Sequence, residues 1–110
     1  MYGRICLYNG SVGEQVRFDW DETKNAINLR KHGIAFEDAV FIFDDPLHIS
    51  RPDRIVDGEQ RWQTVGMANG VLLLIVAHTL EAEDDEEDYV RLISARKAEP
   101  HERRRYEASN

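Results

Sequence analysis

Apolar and polar positions along the chain predict short strands and helices in a defined order. Val16–Trp20 is a predicted strand, and Asp21 stands where an N-cap belongs, directly before Glu22–His32. Gly33 follows at the position of a left-handed C-terminal cap. Within this segment acidic residues precede basic ones, which suits the helix dipole. The sequence therefore predicts a first helix over residues 22–32.

A second helix is predicted over residues 36–43, and Asp44-Asp45-Pro46 ends it. Its apolar residues recur at the i, i+3, i+4 and i+7 spacing of one helix face, namely Phe36, Ala39, Val40 and Phe43. This spacing is typical of a stripe that packs into a core. We interpret the aromatic residues as core packing and not as a base-stacking platform.

A β-hairpin is the clearest signal in the second half of the chain. Asn69-Gly70 separates two strand-like runs, Arg61–Ala68 and Val71–Thr79. Asn-Gly favours a two-residue type I′ turn, because both central residues need positive φ. With such a turn, Ala68 pairs with Val71, and every pair farther out follows from that register.

The remaining segments complete an α+β prediction. Leu47–Ser50 is a predicted short strand, and a polar loop is predicted over Arg51–Gln60. The alternating pattern of Tyr89–Ala98 predicts the last strand, and Pro100 suits the first turn of a closing helix. We expect a small antiparallel meander sheet with two N-terminal helices and a C-terminal helix.

Length and composition indicate one domain with a modest core: 110 residues, 42% hydrophobic and 32% charged. Residues 1–15 show no clear periodicity and are predicted as a flexible extension or an added edge strand, with a single domain over 16–110. The longest apolar run, Val71–Ala77, is too short to cross a bilayer, and no signal-peptide pattern precedes the domain. A lone cysteine, Cys6, favours a reducing compartment. These features predict a cytoplasmic protein without membrane association.

The net charge of −7 is unevenly distributed. Glu81–Asp88 holds seven acidic residues and no basic one, so the rest of the chain sums to zero. We predict a solvated acidic loop there; the alternative is a segment that imitates phosphate. From Tyr89 to Asn110, six Arg or Lys residues stand against three Glu. This local excess beside a strand predicts one wall of a site for a polyanion, and RNA is the polyanion that we expect.

The predicted hairpin register brings basic residues together. Arg61 faces His78 at the open end of the hairpin, and Arg91 lies near His78 if the ends of the next strand match. Two arginines beside one histidine suit a phosphate group, and histidine exchanges a proton near neutral pH. Two structural alternatives remain open: His78 as an ordinary strand-end residue, and Arg61 paired with Glu59 or with carboxylates of the acidic loop.

Other chemistries fit the sequence poorly. The chain has no Gly-rich phosphate loop, no Gly-x-Ser-x-Gly elbow and no Cys-His pair at zinc spacing. The acidic pair Asp44-Asp45 is better explained as a helix stop than as a metal site. We therefore expect neither a metal nor a cofactor.

Between about residues 17 and 107, the chain carries an ordered set of short motifs. They are Phe18-Asp19-Trp20-Asp21, Lys24, Asn28, Lys31-His32-Gly33, Phe36, Ala39, Phe43-Asp44-Asp45-Pro46, Gly58-Glu59, Arg61, Gly66, Arg91–Arg96, Glu102-Arg103 and Tyr106-Glu107. Together these motifs resemble the BrnT toxins of bacterial type II toxin–antitoxin modules. The resemblance implies a RelE-like fold and growth inhibition by RNA cleavage. It also implies a BrnA-type antitoxin that neutralises the toxin, binds the operon's DNA and represses it together with the toxin.

The resemblance further implies metal-independent cleavage, in which the ribose 2′-hydroxyl attacks the adjacent phosphorus. On this hypothesis His78 acts as acid or base, and Arg61, Arg91 and Arg96 contact the phosphate and its transition state. Arg96 faces away from Arg91 by alternation, so its inclusion needs a bulge or a strand end. The candidate RNA-binding residues are Lys31, His32, Arg103, Arg104, Arg105 and Tyr106. The alternative function is a non-catalytic antitoxin-binding subunit that acts as a co-repressor.

Overall fold

The computed structural model describes the backbone of residues 2–8, 15–84 and 87–108, and the side chains of residues 16–81 and 89–108. Its elements, in chain order, are β1 (Tyr2–Tyr8), β2 (Gln15–Asp21), α1 (Glu22–His32), α2 (Phe36–Ala39), a 3₁₀ helix (Val40–Asp44), β3 (Ile49–Val56), β4 (Glu59–Ala68), β5 (Leu72–His78), β6 (Glu81–Asp84), β7 (Glu87–Lys97) and α3 (Pro100–Ala108). The protein has an α+β fold.

The strands form one mixed sheet in the order β1-β2-β7-β5-β4-β3, and β6 pairs with β7 beside it. β2 runs parallel to β7, whereas the other neighbours are antiparallel. The predicted purely antiparallel meander is therefore wrong. A meander assumes that strands pair only with their neighbours in sequence, but the last strand inserts between β2 and β5. For residues 1–15, the structure has an edge strand over Tyr2–Tyr8, and residues 9–14 lie outside the described part.

The segment predicted as a polar loop is mostly strand. β3 extends from Ile49 to Val56, and only the tight turn at Asp57-Gly58 separates it from β4. Its residues 50–55 are all exposed, so no apolar alternation marks it in the sequence. β3 is an edge strand, where a proline such as Pro52 is tolerated, and the register shifts directly after it.

The predicted hairpin register is off by one residue. Asn69 and Gly70 have positive φ (54° and 70°), and the Val71 N–H donates to the Ala68 carbonyl at 3.1 Å, as expected for the turn. Ala68 nevertheless pairs with Leu72, because Val71 remains an extra, 83% exposed turn residue. The strand that follows is apolar on both faces, so hydrophobicity alone does not define its register.

The helices lie close to the predicted segments. α1 occupies residues 22–32, with the Asp21 side chain accepting the Thr23 N–H at 2.8 Å and Gly33 at φ 74°. The second predicted helix is shorter than expected, because the α-helix ends at Ala39 and continues as a 3₁₀ helix to Asp44. No helix in the described part of the chain is long and apolar enough to cross a membrane.

Hydrophobic side chains are buried on both faces of the sheet. The larger cluster packs the sheet against α2 and the 3₁₀ helix and includes Phe18, Trp20, Phe36 and Leu92. Phe36, Ala39 and Val40 belong to this cluster, and Phe43 packs against it, which confirms the prediction that this stripe is core packing. On the other face a smaller cluster, centred on Val65, Leu73 and Tyr106, packs under α3. The part of this second face that α3 does not cover remains accessible to ligands.

One side chain joins α1 to the free edge of β7. β2 pairs with β7 only as far as Arg91, so the backbone groups beyond it need other partners. The buried Asn28 amide donates to the Ala95 carbonyl at 2.9 Å and accepts the Ala95 N–H at 3.0 Å. Strand N–H and C=O groups lie near the plane of the sheet. α1 therefore flanks β7 where β2 has ended.

Candidate active site

Two arginines share one carboxylate on the sheet face that α3 leaves uncovered. Glu59 Oε1 lies 2.8 Å from Arg91 Nη2 and 3.4 Å from Arg61 Nε. The side chains of Glu59, Arg61 and Arg91 are 30%, 21% and 36% exposed, respectively. They form a partly desolvated charged cluster that a ligand can still reach. The structure thus brings Arg61 and Arg91 together, around an acidic residue that the sequence suggests only as a partner of Arg61.

Strand pairing fixes where the cluster lies. Glu59 and Arg61 are two residues apart on β4 and therefore share a face. Leu92 is buried in the core under the helices, so its neighbour Arg91 points to the opposite face. Thr79 holds the backbone of Arg91 by two hydrogen bonds, from the Thr79 N–H to the Arg91 carbonyl (3.0 Å) and from the Arg91 N–H to Thr79 Oγ1 (3.2 Å). The position of Arg91 is set by the residue that follows β5.

The parallel pairing of β2 with β7 adds three more residues to this face. Arg17 pairs with Tyr89 in register, and its guanidinium carbon lies 5.0 Å from the centre of the Tyr89 ring. Asp19 is the register partner of Arg91 and hydrogen-bonds to Tyr89. Burial, followed by this bond to the Asp19 carboxylate, raises the pKa of Tyr89 above its usual value. The arginine cluster thus continues onto β2.

Sequence reasoning misses these neighbours for identifiable reasons. Arg17, Asp19 and Tyr89 come together through a parallel pairing between strands about seventy residues apart, which no local pattern predicts. The sequence pattern places Glu59 in a loop, where a spacing of two residues from Arg61 does not predict that both side chains share a face. A β4 strand predicted two residues longer would have put both side chains on one face.

His78 lies on the opposite face, away from the two arginines. It pairs with Trp62 and not with Arg61, since the hairpin register is shifted by one residue. The side chain is 1% exposed and packs edge-on against Phe43, with ring centres 5.0 Å apart. Nδ1 donates to the Thr79 carbonyl (2.7 Å) and Nε2 accepts from the Thr64 hydroxyl (2.7 Å), a tautomer we assign from these partners. The predicted proximity of His78 to Arg61 is therefore wrong.

Burial of His78 predicts acid sensitivity. Desolvation is the main reason that the pKa of His78 falls from 6.5 to about 4. Between these values the unfolded chain binds the proton and the folded protein does not, so stability is complete above pH 6.5 and is lost as the pH falls. We expect the free energy of unfolding in urea to be about 2 kcal/mol lower at pH 5 than at pH 7.5. His78→Gln should flatten this profile, and equal stability of the parent protein at both pH values would contradict a neutral, buried His78.

Most of the chain matches a known protein family. Residues 20–102 match the family model described as "Ribonuclease toxin, BrnT, of type II toxin-antitoxin system". The match covers about three quarters of the chain. The protein belongs to the BrnT family. Glu59, Arg61 and Arg91 lie within the matched region, whereas Arg17 and Asp19 precede it.

Solved structures similar to this BrnT-family chain include the 1.1 Å crystal structure of the Brucella abortus ribonuclease toxin BrnT, with 26% sequence identity and a TM-score of 0.49. The similarity covers 73% of this chain and 92% of the Brucella chain. A comparison with curated proteins found no match.

A bulge at Leu92–Ser94 places Arg96 on the same sheet face as Arg91, so the predicted opposite orientation is wrong. Arg96 nevertheless does not join the Arg61–Arg91 cluster. Its guanidinium forms two parallel hydrogen bonds with Glu102 of α3, Nη1 to Oε1 at 2.8 Å and Nη2 to Oε2 at 2.9 Å. The Glu102 side chain is only 6% exposed and also accepts the Glu99 N–H at 2.8 Å, as in a capping box. The bond to Arg96 is the main cause of the lowered pKa of Glu102. In this BrnT-family protein, Arg96 fixes α3 to the sheet.

Tyr106 is also occupied within the fold. It is 7% exposed, and its hydroxyl donates to Asp45 Oδ2 at 2.7 Å, which raises the pKa of Tyr106 to about 12. The same carboxylate oxygen accepts the Met67 N–H at 2.8 Å, at a point on β4 that β3 does not reach. Tyr106 therefore joins α3 to the loop after the 3₁₀ helix, and its ring is not available for stacking on RNA bases.

The other predicted RNA-binding residues lie at the surface in two separate places. Arg103, Arg104 and Arg105 are exposed on α3, which packs against Val65 and its neighbours. Val65 is four residues from Arg61 along β4, or about 13 Å. At the end of α1, Lys31 is exposed and His32 is half-buried. Among the side chains that the structure describes, no group of three His, Cys, Asp or Glu residues could hold a metal ion.

Proposed function

We propose that this protein is a toxin of a type II toxin–antitoxin module that cleaves RNA at Glu59, Arg61 and Arg91. Its membership of the BrnT family supports the reaction class. The observation that carries the site is the sharing of Glu59 Oε1 by the two guanidinium groups on a partly exposed sheet face. A phosphodiester that enters this cluster meets two forked cations and a carboxylate, the groups that phosphoryl transfer requires.

The proposed reaction is an in-line attack of the ribose 2′-hydroxyl on the adjacent phosphorus. Glu59 accepts the proton of the 2′-hydroxyl as its oxygen attacks, which makes it the general base. Arg61 and Arg91 bind the non-bridging oxygens and stabilise the charge that develops on them. The leaving 5′-oxygen takes a proton from solvent, and the product is a 2′,3′-cyclic phosphate. Because side chains supply both the positive charge and the base, the proposed reaction proceeds without a metal.

His78 takes a positioning role in this proposal instead of the acid or base role inferred from sequence. Its Nδ1 donates to the carbonyl of Thr79, and the hydroxyl of Thr79 accepts the Arg91 N–H. His78 is thus linked to Arg91 through one intervening residue. Because His78 is buried and its pKa is depressed, it remains neutral at physiological pH and holds this segment in place.

The remaining predictions on partners belong to the same proposal. A type II toxin acts together with an antitoxin, and we propose a DNA-binding antitoxin of the BrnA type as the partner in the cytoplasm. Operator DNA is then contacted only through the antitoxin. RNA cleavage of the RelE-like kind, with inhibition of growth, is the proposed activity of the free toxin.

Cleavage of RNA by purified protein, with and without a chelator, tests this function. We expect the parent protein to cleave in both conditions, and Arg91→Ala to lower the rate by about 10²-fold, the effect of losing one preorganised charge-stabilising group. Arg30→Ala, which removes an exposed arginine from the last turn of α1, is the matched control and should leave the rate unchanged.

Two outcomes would contradict the proposal in different ways. Cleavage that disappears with the chelator would overturn the metal-free mechanism. A parent protein that neither cleaves RNA nor inhibits growth would favour the non-catalytic co-repressor.

A further inference from the structure

A small basic groove lies between α1 and β7. Its volume is about 160 Å³, which corresponds to about five water molecules and is well below the usual size of a small-molecule pocket. Lys24, Lys31, His32 and the Ser94 hydroxyl contribute polar groups, and Ile27 and Ile93 contribute apolar surface. None of the lining side chains, which all lie in the described part of the chain, is acidic. The groove therefore suits a compact anion such as a single phosphate group.

The spacing of α1 residues explains why these groups converge. Lys24, Ile27 and Lys31 recur at i, i+3 and i+7, so they lie along one stripe of the helix. Asn28, on the same side, binds both backbone groups of Ala95 and sets α1 directly beside β7. Both lysines are exposed and are therefore free to reorient towards a ligand. The groove is positioned by a buried contact, while its charged groups remain accessible.

The groove also lies beside the proposed active site. The register of β5 and β7 shifts between Ala77 and His78, so a bulge at Leu92–Ser94 interrupts the alternation of β7. Beyond the bulge, Ala95 is buried in the core under the helices, so its neighbour Ser94 points to the opposite face, the face that carries Arg91. Ser94 is three positions along the strand from Arg91, a distance of about 10 Å. An extended strand of RNA held at Arg91 can therefore continue over the β7 edge towards Lys31.

The small net charge at the proposed active site indicates that RNA needs this second contact. With only the described side chains counted, the cluster at the proposed active site contains three arginines (Arg17, Arg61 and Arg91) and two carboxylates (Asp19 and Glu59), a net charge of only +1. The whole chain carries −7. Affinity for a polyanion comes mainly from cations that neutralise phosphates, and a nearly balanced cluster supplies little of it. A groove with two lysines and no acidic group supplies more of this affinity.

We propose that the groove between α1 and β7 is a second phosphate-binding subsite, occupied by the RNA backbone that flanks the cleaved bond. The substrate is then a single strand several nucleotides long, and not an isolated phosphodiester. This assignment rests on the proposed function. The proposed subsite divides the RNA-binding residues predicted from sequence into two groups. Lys31 contacts the substrate, together with Lys24 and Ser94, whereas the three arginines of α3 do not.

The test compares two double variants that change the net charge equally. Lys24→Ala/Lys31→Ala removes both lysines of the groove, and Arg30→Ala/Lys97→Ala removes two exposed bases outside it. Binding is measured by fluorescence anisotropy against salt concentration, with 2′-O-methylated single-stranded RNA, which lacks the attacking hydroxyl. Cleavage is measured on a long oligoribonucleotide and on a dinucleotide.

The groove variant should bind the methylated RNA on the order of tenfold more weakly, and its salt slope should fall by about 0.7 for each phosphate that the missing lysines no longer neutralise. Its KM should rise for the long substrate and stay unchanged for the dinucleotide. The control variant should match the parent protein in all these measurements.

The outcomes separate the subsite from the reaction. If the parent protein binds the methylated RNA through the groove but cleaves nothing, the subsite stands and the proposed function fails. If the groove variant matches the control in affinity, salt slope and KM, the subsite is wrong, whether or not the parent cleaves. Failure of the parent protein to bind RNA at all would also overturn it.

Discussion

Replacing Glu59 by Gln should lower the rate of RNA cleavage by about 10²–10⁴-fold, the usual effect of losing a general base. Gln keeps the size of the side chain and can still hydrogen-bond, but it cannot accept the proton of the 2′-hydroxyl. The charge of Glu59 also competes with phosphate for Arg61 and Arg91. Removing that charge should therefore leave RNA affinity unchanged or higher, so kcat falls while KM does not rise.

This combination distinguishes a base from a residue that only orders the arginines. If Glu59 merely held Arg61 and Arg91 in place, Gln would weaken binding as well as cleavage. The ion pairs of Glu59 are partly exposed, so their removal should change the free energy of unfolding by no more than about 1 kcal/mol. Glu59→Asp, which keeps the carboxylate, should retain part of the activity. A Glu59→Gln variant with the parental kcat would place the base elsewhere.

The position of Glu59 shows where sequence and structure diverge. Arg61 and Arg91 can be proposed as site residues from sequence because positive charge near strand ends is visible in the pattern. Their common partner cannot, because Glu59 belongs to a strand whose first residues look like a loop. The site depends on where β4 begins, and a strand boundary is the least certain feature that a single sequence provides.

Local signals predict α1 and the Asn69-Gly70 turn, whereas long-range strand pairing is not predicted. The cap residue Asp21 and the left-handed Gly33 define α1 within one segment of chain, so α1 follows from sequence. The Asn69-Gly70 turn also has the predicted positive φ angles. The pairing of β2 with β7, in contrast, joins distant segments, and nothing in either strand specifies a parallel neighbour.

The one-residue error in the predicted hairpin register changes the role inferred for His78. The residues of β5 are apolar on both sides because helices cover both faces of the sheet, α2 and the 3₁₀ helix on one and α3 on the other. Either register would bury apolar side chains, so the pattern could not exclude the wrong one. The observed register moves His78 into the core and leaves Arg61 at the surface cluster. The same hairpin therefore separates the two residues that the sequence places together.

Replacing Arg96 by Ala should lower the free energy of unfolding by about 3 kcal/mol, because it leaves Glu102 without its partner in a nearly buried position. Removing one member of a fully buried pair costs about 3–5 kcal/mol, and the 35% exposure of Arg96 places this pair at the lower end. Urea denaturation at neutral pH measures the change. The double variant Arg96→Ala/Glu102→Gln removes the uncompensated charge and should recover part of the stability.

The same variant distinguishes two roles for Arg96. If Arg96 contacted the phosphate, Arg96→Ala would lower kcat under conditions where the protein is fully folded, and removing the charge of Glu102 would not restore it. If Arg96 fixes α3, cleavage per folded molecule should stay near the parental rate while the unfolding midpoint falls. The bidentate bond to Glu102 favours the second outcome, because both terminal guanidinium nitrogens already donate to that carboxylate. Under the proposed function, the two arginines of β7 then have separate roles: Arg96 attaches α3, and Arg91 binds substrate.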